Sequence, residues 1–255
     1  MNQLLTTLKL RNEALFYFGL FCLIGSILCI ILMFTSQTKV LGINAWIKPF
    51  KFFLSSVIFV WSMAWFMYYL NLPQKVNYFS WMTILVLGFE TIYITWQAYR
   101  GQLSHFNIST PFTGAMFALM GIAISIMTIW TAYIGYLFFT KDFPDLPMGY
   151  VWGIRIGILL FVIFAFQGGL MASWLQHTVG VPDGGPGLPL TNWSTGFGDL
   201  RIAHFLGMHA LQILPLLGYF LIKDVKSIII TSILYFVITS AIFIQALMGR
   251  PLIKY

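Results

Sequence analysis

The sequence predicts an all-α, polytopic membrane helix bundle, and both its composition and the spacing of its apolar stretches support this fold class. Of the 255 residues, 59% are hydrophobic and only 8% are charged, with a mean hydropathy of +0.86. A soluble domain carries about 25% charged residues, so this chain has too few to cover a surface exposed to water. Lipid must therefore solvate most of its surface.

Seven stretches are long enough to cross a bilayer, which takes about 20 apolar residues in a helix. We predict a single transmembrane domain over residues 1–255 with about seven spans, at 14–34, 50–70, 78–99, 113–140, 150–175, 200–222 and 228–248. Seven crossings place the two termini on opposite sides of the membrane. We call the N-terminal side of the membrane side A and the opposite side B. Basic residues divide almost evenly between the two sides, so their distribution does not fix the orientation.

The net charge of +7 comes from basic residues that are scattered singly over the loops, without a lysine run. Such residues set the topology and contact anionic lipid headgroups, so membrane lipids are the expected partners and nucleic acid is not.

Glu90 is the most informative residue because it lies near the middle of the third span. A carboxylate at that depth costs a few kcal/mol, so such residues commonly mark a proton relay, a ligand site or a transport path. Three polar residues follow Glu90 at i+3, i+7 and i+10, which is one helix face leading to side B. They are Tyr93, Gln97 and Arg100. The alternative is that Glu90 only makes a structural hydrogen bond to another helix.

All four histidines lie toward side B. His204 and His209 are about 140° apart around the sixth span, which makes them poor ligands for a single metal ion. His209 and Glu90 both lie roughly 15 Å below side B, so we expect them to meet if the third and sixth helices are adjacent. We predict catalytic or proton-relay roles for Glu90 and His209, and we take His105, His177, His204 and His209 as candidate cofactor ligands. Alternatively, each histidine only donates a hydrogen bond across the bundle.

The last side-B loop, residues 176–199, is long and rich in glycine and proline. Loops of this length are generally functional or disordered. Because this one also carries Trp193 and Phe197, which suit a membrane interface, we predict an ordered lid over the side-B mouth.

Polar residues of the side-B loops and nearby helix ends form the candidate substrate-binding set. For two of them, Lys48 and Lys51, simple anchoring of the second span at the interface is slightly favoured over binding of an anionic headgroup. The full set is Lys48, Lys51, Gln97, Arg100, Asn107, Gln167, Asp183, Asn192, Asp199 and Arg201.

Four segments resemble a family of bacterial multi-pass membrane proteins that has no assigned activity. They are WIKPFKF at 46–52, RGQLSHFN at 100–107, VPDGGPGLP at 181–189 and GDLRIAH at 198–204. The resemblance covers most of the chain and implies location in a cell membrane, namely the inner membrane of a bacterium.

A second and fainter resemblance is to the haem A synthases. Gln167 with its two following glycines, the proline-rich loop 182–192 and His204 fit that family's pattern loosely. The resemblance implies haem as a cofactor. The chain departs from the family in having about seven spans rather than eight, and the paired-histidine half-bundles of that family are not traceable in it.

Several functions therefore remain open, with a haem- or metal-binding redox role narrowly first. A proton-coupled transporter that uses Glu90 and His209 is the second. An enzyme acting on a lipid-phosphate substrate is the third, with a histidine as acid or base and Arg100 or Arg201 holding the phosphate. A sensor or assembly role without chemistry is the fourth. The ligand would be a small molecule, a quinone or a lipid. The sequence leaves open whether any reaction is catalysed, which metal or cofactor is bound, and the oligomeric state.

Overall fold

A computed structural model describes residues 2–254 of the chain, which form eight α-helices and one short 3-10 helix (Tyr68–Leu70), and seven of the α-helices are long and apolar enough to cross a membrane. The protein is thus a multi-pass membrane protein, and the predicted all-α bundle is confirmed. The helices are α1 (Asn2–Arg11), α2 (Glu13–Thr35), α3 (Ile47–Met67), α4 (Pro73–Tyr99), α5 (Pro111–Thr140), α6 (Met148–Trp174), α7 (Leu200–Phe220) and α8 (Val225–Leu247).

The short helix α1 was not predicted, and it is joined to α2 through Asn12. The Asn12 side chain accepts a hydrogen bond from the backbone N–H of Leu15 (3.0 Å) and so caps α2. Its amide also donates to the hydroxyl of Ser80 on α4 (2.8 Å). Next to it, the Arg11 guanidinium lies 3.8 Å from the ring centre of Trp65 on α3. These contacts hold α1 against the spans that follow it.

The chain divides into two compact units, one ending at Met127 and the other beginning at Thr128, so the division falls within α5. The first unit contains α1 to α4 and the beginning of α5. In its core, Leu15, Met63 and Phe79 are fully buried. Toward side B, a second apolar cluster joins α4 to the beginning of α5, with Tyr93, Ile94 and Met120 buried and Phe52, Phe89 and Met116 packed against them.

The second unit contains the rest of α5 with α6, α7 and α8, and glycines bring α6 and α7 into backbone contact. Gly149, Gly153 and Gly157 repeat every four residues on α6. A Cβ at Gly153 would lie 2.6 Å from the carbonyl oxygen of Leu214, and one at Gly157 would lie 2.8 Å from that of Ala210. Small residues at this spacing let membrane helices approach closely. Side chains at the side-B ends of α6 and α7 are thereby held in a fixed relation.

Short strands occur only in the side-B loops of the described chain. β1 (Lys39–Val40) pairs antiparallel with β2 (Ile43–Asn44) between α2 and α3. β3 (Thr178–Val179) pairs antiparallel with β4 (Gly198–Asp199) and closes the loop that was predicted to be a lid. That loop is therefore folded onto the start of α7.

Candidate functional site

Glu90 is buried in the first unit, with 5% of its side chain exposed. Its Oε2 lies 3.8 Å from Nε2 of His105. This distance is too long for a direct hydrogen bond and is in the range where a single water can bridge two polar groups. Lys48, at the start of α3, is close enough for its charge to act on the Glu90 carboxylate. The buried acid therefore lies between a histidine and a lysine that both belong to side-B segments.

The His105 ring is held among aromatic side chains. Its centre is 5.3 Å from that of Phe52 and 6.4 Å from those of Phe106 and Phe117. Its Nδ1 pairs with the hydroxyl of Ser104 at 3.1 Å. Because its side chain is 21% exposed, against 5% for Glu90, His105 connects the buried acid to the more accessible loop.

Gln97 and Asn107 fix the loop that carries His105. The side-chain amides of both donate to the carbonyl oxygen of Leu103, at 2.9 and 3.0 Å. Gln97 is fully buried and also donates to the hydroxyl of Tyr93 (3.2 Å), while its own Oε1 has no hydrogen-bond partner among residues 2–254. These contacts position the loop that carries His105. The prediction that both residues bind a substrate stays a prediction.

Arg100, from the polar face predicted along α4, and Lys51, one of the two candidate anchoring lysines, lie nearer the surface. Arg100 follows the last residue of α4, is exposed, and holds its guanidinium 4.6 Å from the ring centre of Trp96. Lys51 is half-buried on α3. The stripe predicted along α4 thus divides into buried residues at Glu90, Tyr93 and Gln97 and an interfacial residue at Arg100.

Two histidines of the second unit share one hydrogen-bonding arrangement. Nδ1 of His204 lies 2.6 Å from the carbonyl oxygen of Phe164, and Nδ1 of His209 lies 2.7 Å from that of Phe205. A carbonyl oxygen only accepts, so in the neutral form each Nδ1 carries the ring proton and each Nε2 presents its lone pair. This tautomer is the one that binds a metal or accepts a hydrogen bond through Nε2.

Near these two histidines, His177 forms a tight pair with Asp183, with Nδ1 2.5 Å from Oδ2. Asp183 also accepts from the backbone N–H and the hydroxyl of Thr178, both at 3.0 Å. Burial acts to raise the pKa of Asp183, but the hydrogen bonds and the charge of His177 outweigh it and lower that pKa below its ordinary value. His177 and His209 both lie close enough to His204 for their charges to interact with it.

Three further predicted binding residues hold the loop of residues 176–199 to α7. Asp199 caps α7 by accepting from the backbone N–H of Arg201 (3.0 Å), and it also accepts from that of Ser194 (2.8 Å). The Arg201 guanidinium donates to both carboxylate oxygens of Asp199 and to the backbone carbonyl of Asn192. These polar groups satisfy one another, which gives them a structural role in the loop.

Gly168, which follows Gln167 on α6, lies beside His204. The Gln167 amide donates to the carbonyl oxygen of Leu200 through a long hydrogen bond of 3.5 Å. A Cβ at Gly168 would lie 2.9 Å from Cε1 of His204, so the imidazole ring packs closely against Gly168.

The residues brought together in the first unit are thus Glu90, His105 and Lys48. Sequence reasoning paired Glu90 with His209, and that pairing stays a prediction. Across residues 2–254 there is no group of three or more His, Cys, Asp or Glu side chains arranged to hold a metal ion. The sequence held only a weak signal for the His105 contact, because His105 follows five residues after Arg100 at the end of the Glu90 face and tertiary contacts set the course of that loop.

Comparison with known proteins adds no family to this description. The chain matches no protein-family model, no curated protein and no solved structure.

Proposed function

We propose that the protein works in a bacterial inner membrane as a proton-coupled transporter, with Glu90 as the group that takes up and releases the proton. The single observation that carries the proposal is the burial of the Glu90 carboxyl within the apolar helix α4, 3.8 Å from Nε2 of His105. Placing an acid inside a membrane span costs free energy, and acids found there generally belong to a proton relay or a transport path.

The surroundings of Glu90 support a proton route toward side B. Histidine exchanges protons near neutral pH and is the usual relay group. One water between Glu90 and His105 would complete the path, because each group is within reach of that water. Lys48 at the start of α3 adds a positive charge near the carboxyl.

Proton movement can be measured in proteoliposomes that contain a pH-sensitive dye, with a potassium diffusion potential imposed by valinomycin. We expect proton uptake in the wild type and a fall of about tenfold or more in Glu90→Gln, since loss of a positioned acid–base group typically costs at least that much. Glu13→Gln is the matched control, because Glu13 is an exposed carboxylate at the start of α2.

Infrared difference spectroscopy gives a second readout that needs no transported substrate. The carboxyl C=O band of Glu90 should respond to pH in the wild type and be missing in Glu90→Gln. In His105→Phe the response should be slower. A wild-type protein without proton flux and without a carboxyl band that responds to pH would overturn the proposal.

A redox role with bound haem is a second candidate, and the tautomer of His209 favours it. Its Nδ1–H donates to the Phe205 carbonyl, which leaves Nε2 as the lone-pair atom that a haem iron takes from a neutral histidine. Purified protein from cells supplied with haem should then show a Soret band that His209→Ala removes. Haem-free protein from such cells would eliminate this candidate.

A further inference from the structure

Glu90 has its described polar contacts toward side B and an apolar helix segment toward side A. His105 and Lys48, which act on its carboxyl, both belong to side-B segments. On the side-A side of the acid, residues 84–89 of α4 read ILVLGF and carry no polar side chain. Leu87 of this segment is buried, one turn from the acid. Along α4, Glu90 is therefore connected to side B and separated from side A.

Thr83 lies at the other end of this apolar segment, on the same face of α4 as the acid. It precedes Glu90 by seven residues, which places the two about 20° apart around the helix and about 10 Å apart along it. Thr83 is fully buried, and its hydroxyl has no hydrogen-bond partner among residues 2–254. By contrast, the hydroxyls of Ser80 and Thr91 on the same helix each donate to a carbonyl oxygen of the preceding turn, at 2.8 and 2.7 Å. The Thr83 hydroxyl thus remains available to another molecule.

Polar groups continue from Thr83 toward side A. Ser80 lies one turn earlier on α4, is buried, and accepts a hydrogen bond from the side-chain amide of Asn12 at the start of α2 (2.8 Å). The polar residues on α4 therefore form two groups, and the apolar segment 84–89 lies between them.

An apolar segment between two polar groups can open and close a water path. Apolar constrictions in membrane proteins gate by excluding water, and they conduct once water enters. The gap of about 10 Å between Thr83 and Glu90 is too long for one bridging molecule and needs a short file of waters. Such a file would hydrogen-bond to the Thr83 hydroxyl at one end and to the Glu90 carboxyl at the other. Because a buried hydroxyl without a partner costs free energy, its satisfaction lowers the cost of wetting the segment.

We propose that Leu87 is the side-A gate of the proton route, and that the Thr83 hydroxyl positions the water that enters when this gate opens. The proposal rests on the proposed function, to which it adds the step that exposes the acid to the second side of the membrane. In the closed state Glu90 exchanges protons with side B through His105. In the open state the proton leaves the carboxyl for the water file and moves toward side A, and the carboxylate remains until side B returns a proton.

A polar side chain at the gate should hold it open. In the dye-loaded proteoliposomes, Leu87→Asn should raise proton flux at least about tenfold over the wild type, because a hydrogen bond between water and the amide lowers the wetting barrier by a corresponding free energy. Removal of the acid as well, in the double variant Leu87→Asn with Glu90→Gln, should abolish this leak. The matched control is Leu85→Asn, which should keep the wild-type flux, since Leu85 is on the same helix but is 72% exposed.

Variants of Thr83 test the positioning of the water. Thr83→Val keeps the shape of the side chain without the hydroxyl, so flux should fall about tenfold, and Thr83→Ser should restore it. The pH response of the Glu90 carboxyl infrared band should persist in Thr83→Val, because side B still reaches the acid. Wild-type flux in Thr83→Val would remove Thr83 from the proposal.

The gate and the transporter proposal fail in different ways. Unchanged flux in Leu87→Asn, or a leak that survives Glu90→Gln, would overturn the gate and leave transport in place wherever the wild type itself carries flux. If the wild type carries no flux but Leu87→Asn leaks through Glu90, the gate stands and proton transport by the wild type does not. Absence of flux in both proteins would overturn the gate as well.

Discussion

Among single residues, Asp183 has the densest set of hydrogen bonds in the loop of residues 176–199, and these bonds hold that loop together. It accepts from the ring and backbone of His177 and from the backbone and hydroxyl of Thr178. Hydrogen bonds to a charged acceptor contribute about 1.5–3 kcal/mol each, so neutralising the carboxylate should loosen the loop substantially. Asp183→Asn should raise amide hydrogen exchange in residues 176–199 about tenfold, with exchange in α6 unchanged.

Lowering the pH should also loosen this loop, because protonation neutralises Asp183, whose pKa is lowered in the folded protein. A carboxyl whose pKa falls on folding contributes its full stability above its unfolded value, about 3.9, and loses it as the pH drops through the folded value. Hydrogen exchange of the lid, corrected for intrinsic rates, should therefore rise below about pH 4 in the wild type. Asp183→Asn should lack this rise, and the same rise in both proteins would assign it to another group.

Glu90 and His105 show which features of single residues can be predicted from the sequence and which cannot. The depth of Glu90 follows from counting residues along a helix, and that prediction needs no tertiary contact. Its neighbour His105 could not be identified in this way, because the loop that carries it is shaped by the bonds of Gln97 and Asn107 to the Leu103 carbonyl. The contact between Asp199 and Arg201 adds a structural role that the sequence did not indicate, and their predicted binding role stays a prediction.

At the scale of elements, the spans were predictable because length and hydropathy alone define them. Their ends differ by a few residues, most at α4, which begins at Pro73 rather than at residue 78. Helix α1 escaped prediction because its 10 residues are too short and too polar for a span. Its position depends on tertiary contacts of Arg11 and Asn12, which no local pattern reveals.

The glycine contact between α6 and α7 gives a prediction at this scale. In Gly153→Leu the new Cβ would meet the backbone of Leu214 at 2.6 Å, and backbone atoms cannot rotate away as a side chain can. Overpacking of this kind typically costs about 1–3 kcal/mol, so the apparent melting temperature in detergent should fall by several degrees. Gly121→Leu on α5 is the matched control, because a Cβ there meets nothing within 4 Å. Equal melting temperatures for the two variants would show that the helices tolerate separation.

For the whole molecule, the number of membrane crossings determines topology, and seven spans place the two ends of the chain on opposite sides. Fusions of green fluorescent protein and alkaline phosphatase to each end report this, since the first is fluorescent only inside the cell and the second is active only outside. We expect one end to give fluorescence and the other to give phosphatase activity.

Two spans decide whether this prediction holds, because α4 and α7 have the lowest mean hydropathy of the seven, 1.3 each. Both carry the polar residues on which the proposed functions rest, Glu90 on α4 and His209 on α7. A helix with such groups crosses a membrane only if they face protein rather than lipid. Reporter fusions in the loops before and after each helix would locate a missing crossing. If both loops around α4 lay on one side, Glu90 would not be at mid-membrane depth, and the proton route would lose its physical basis.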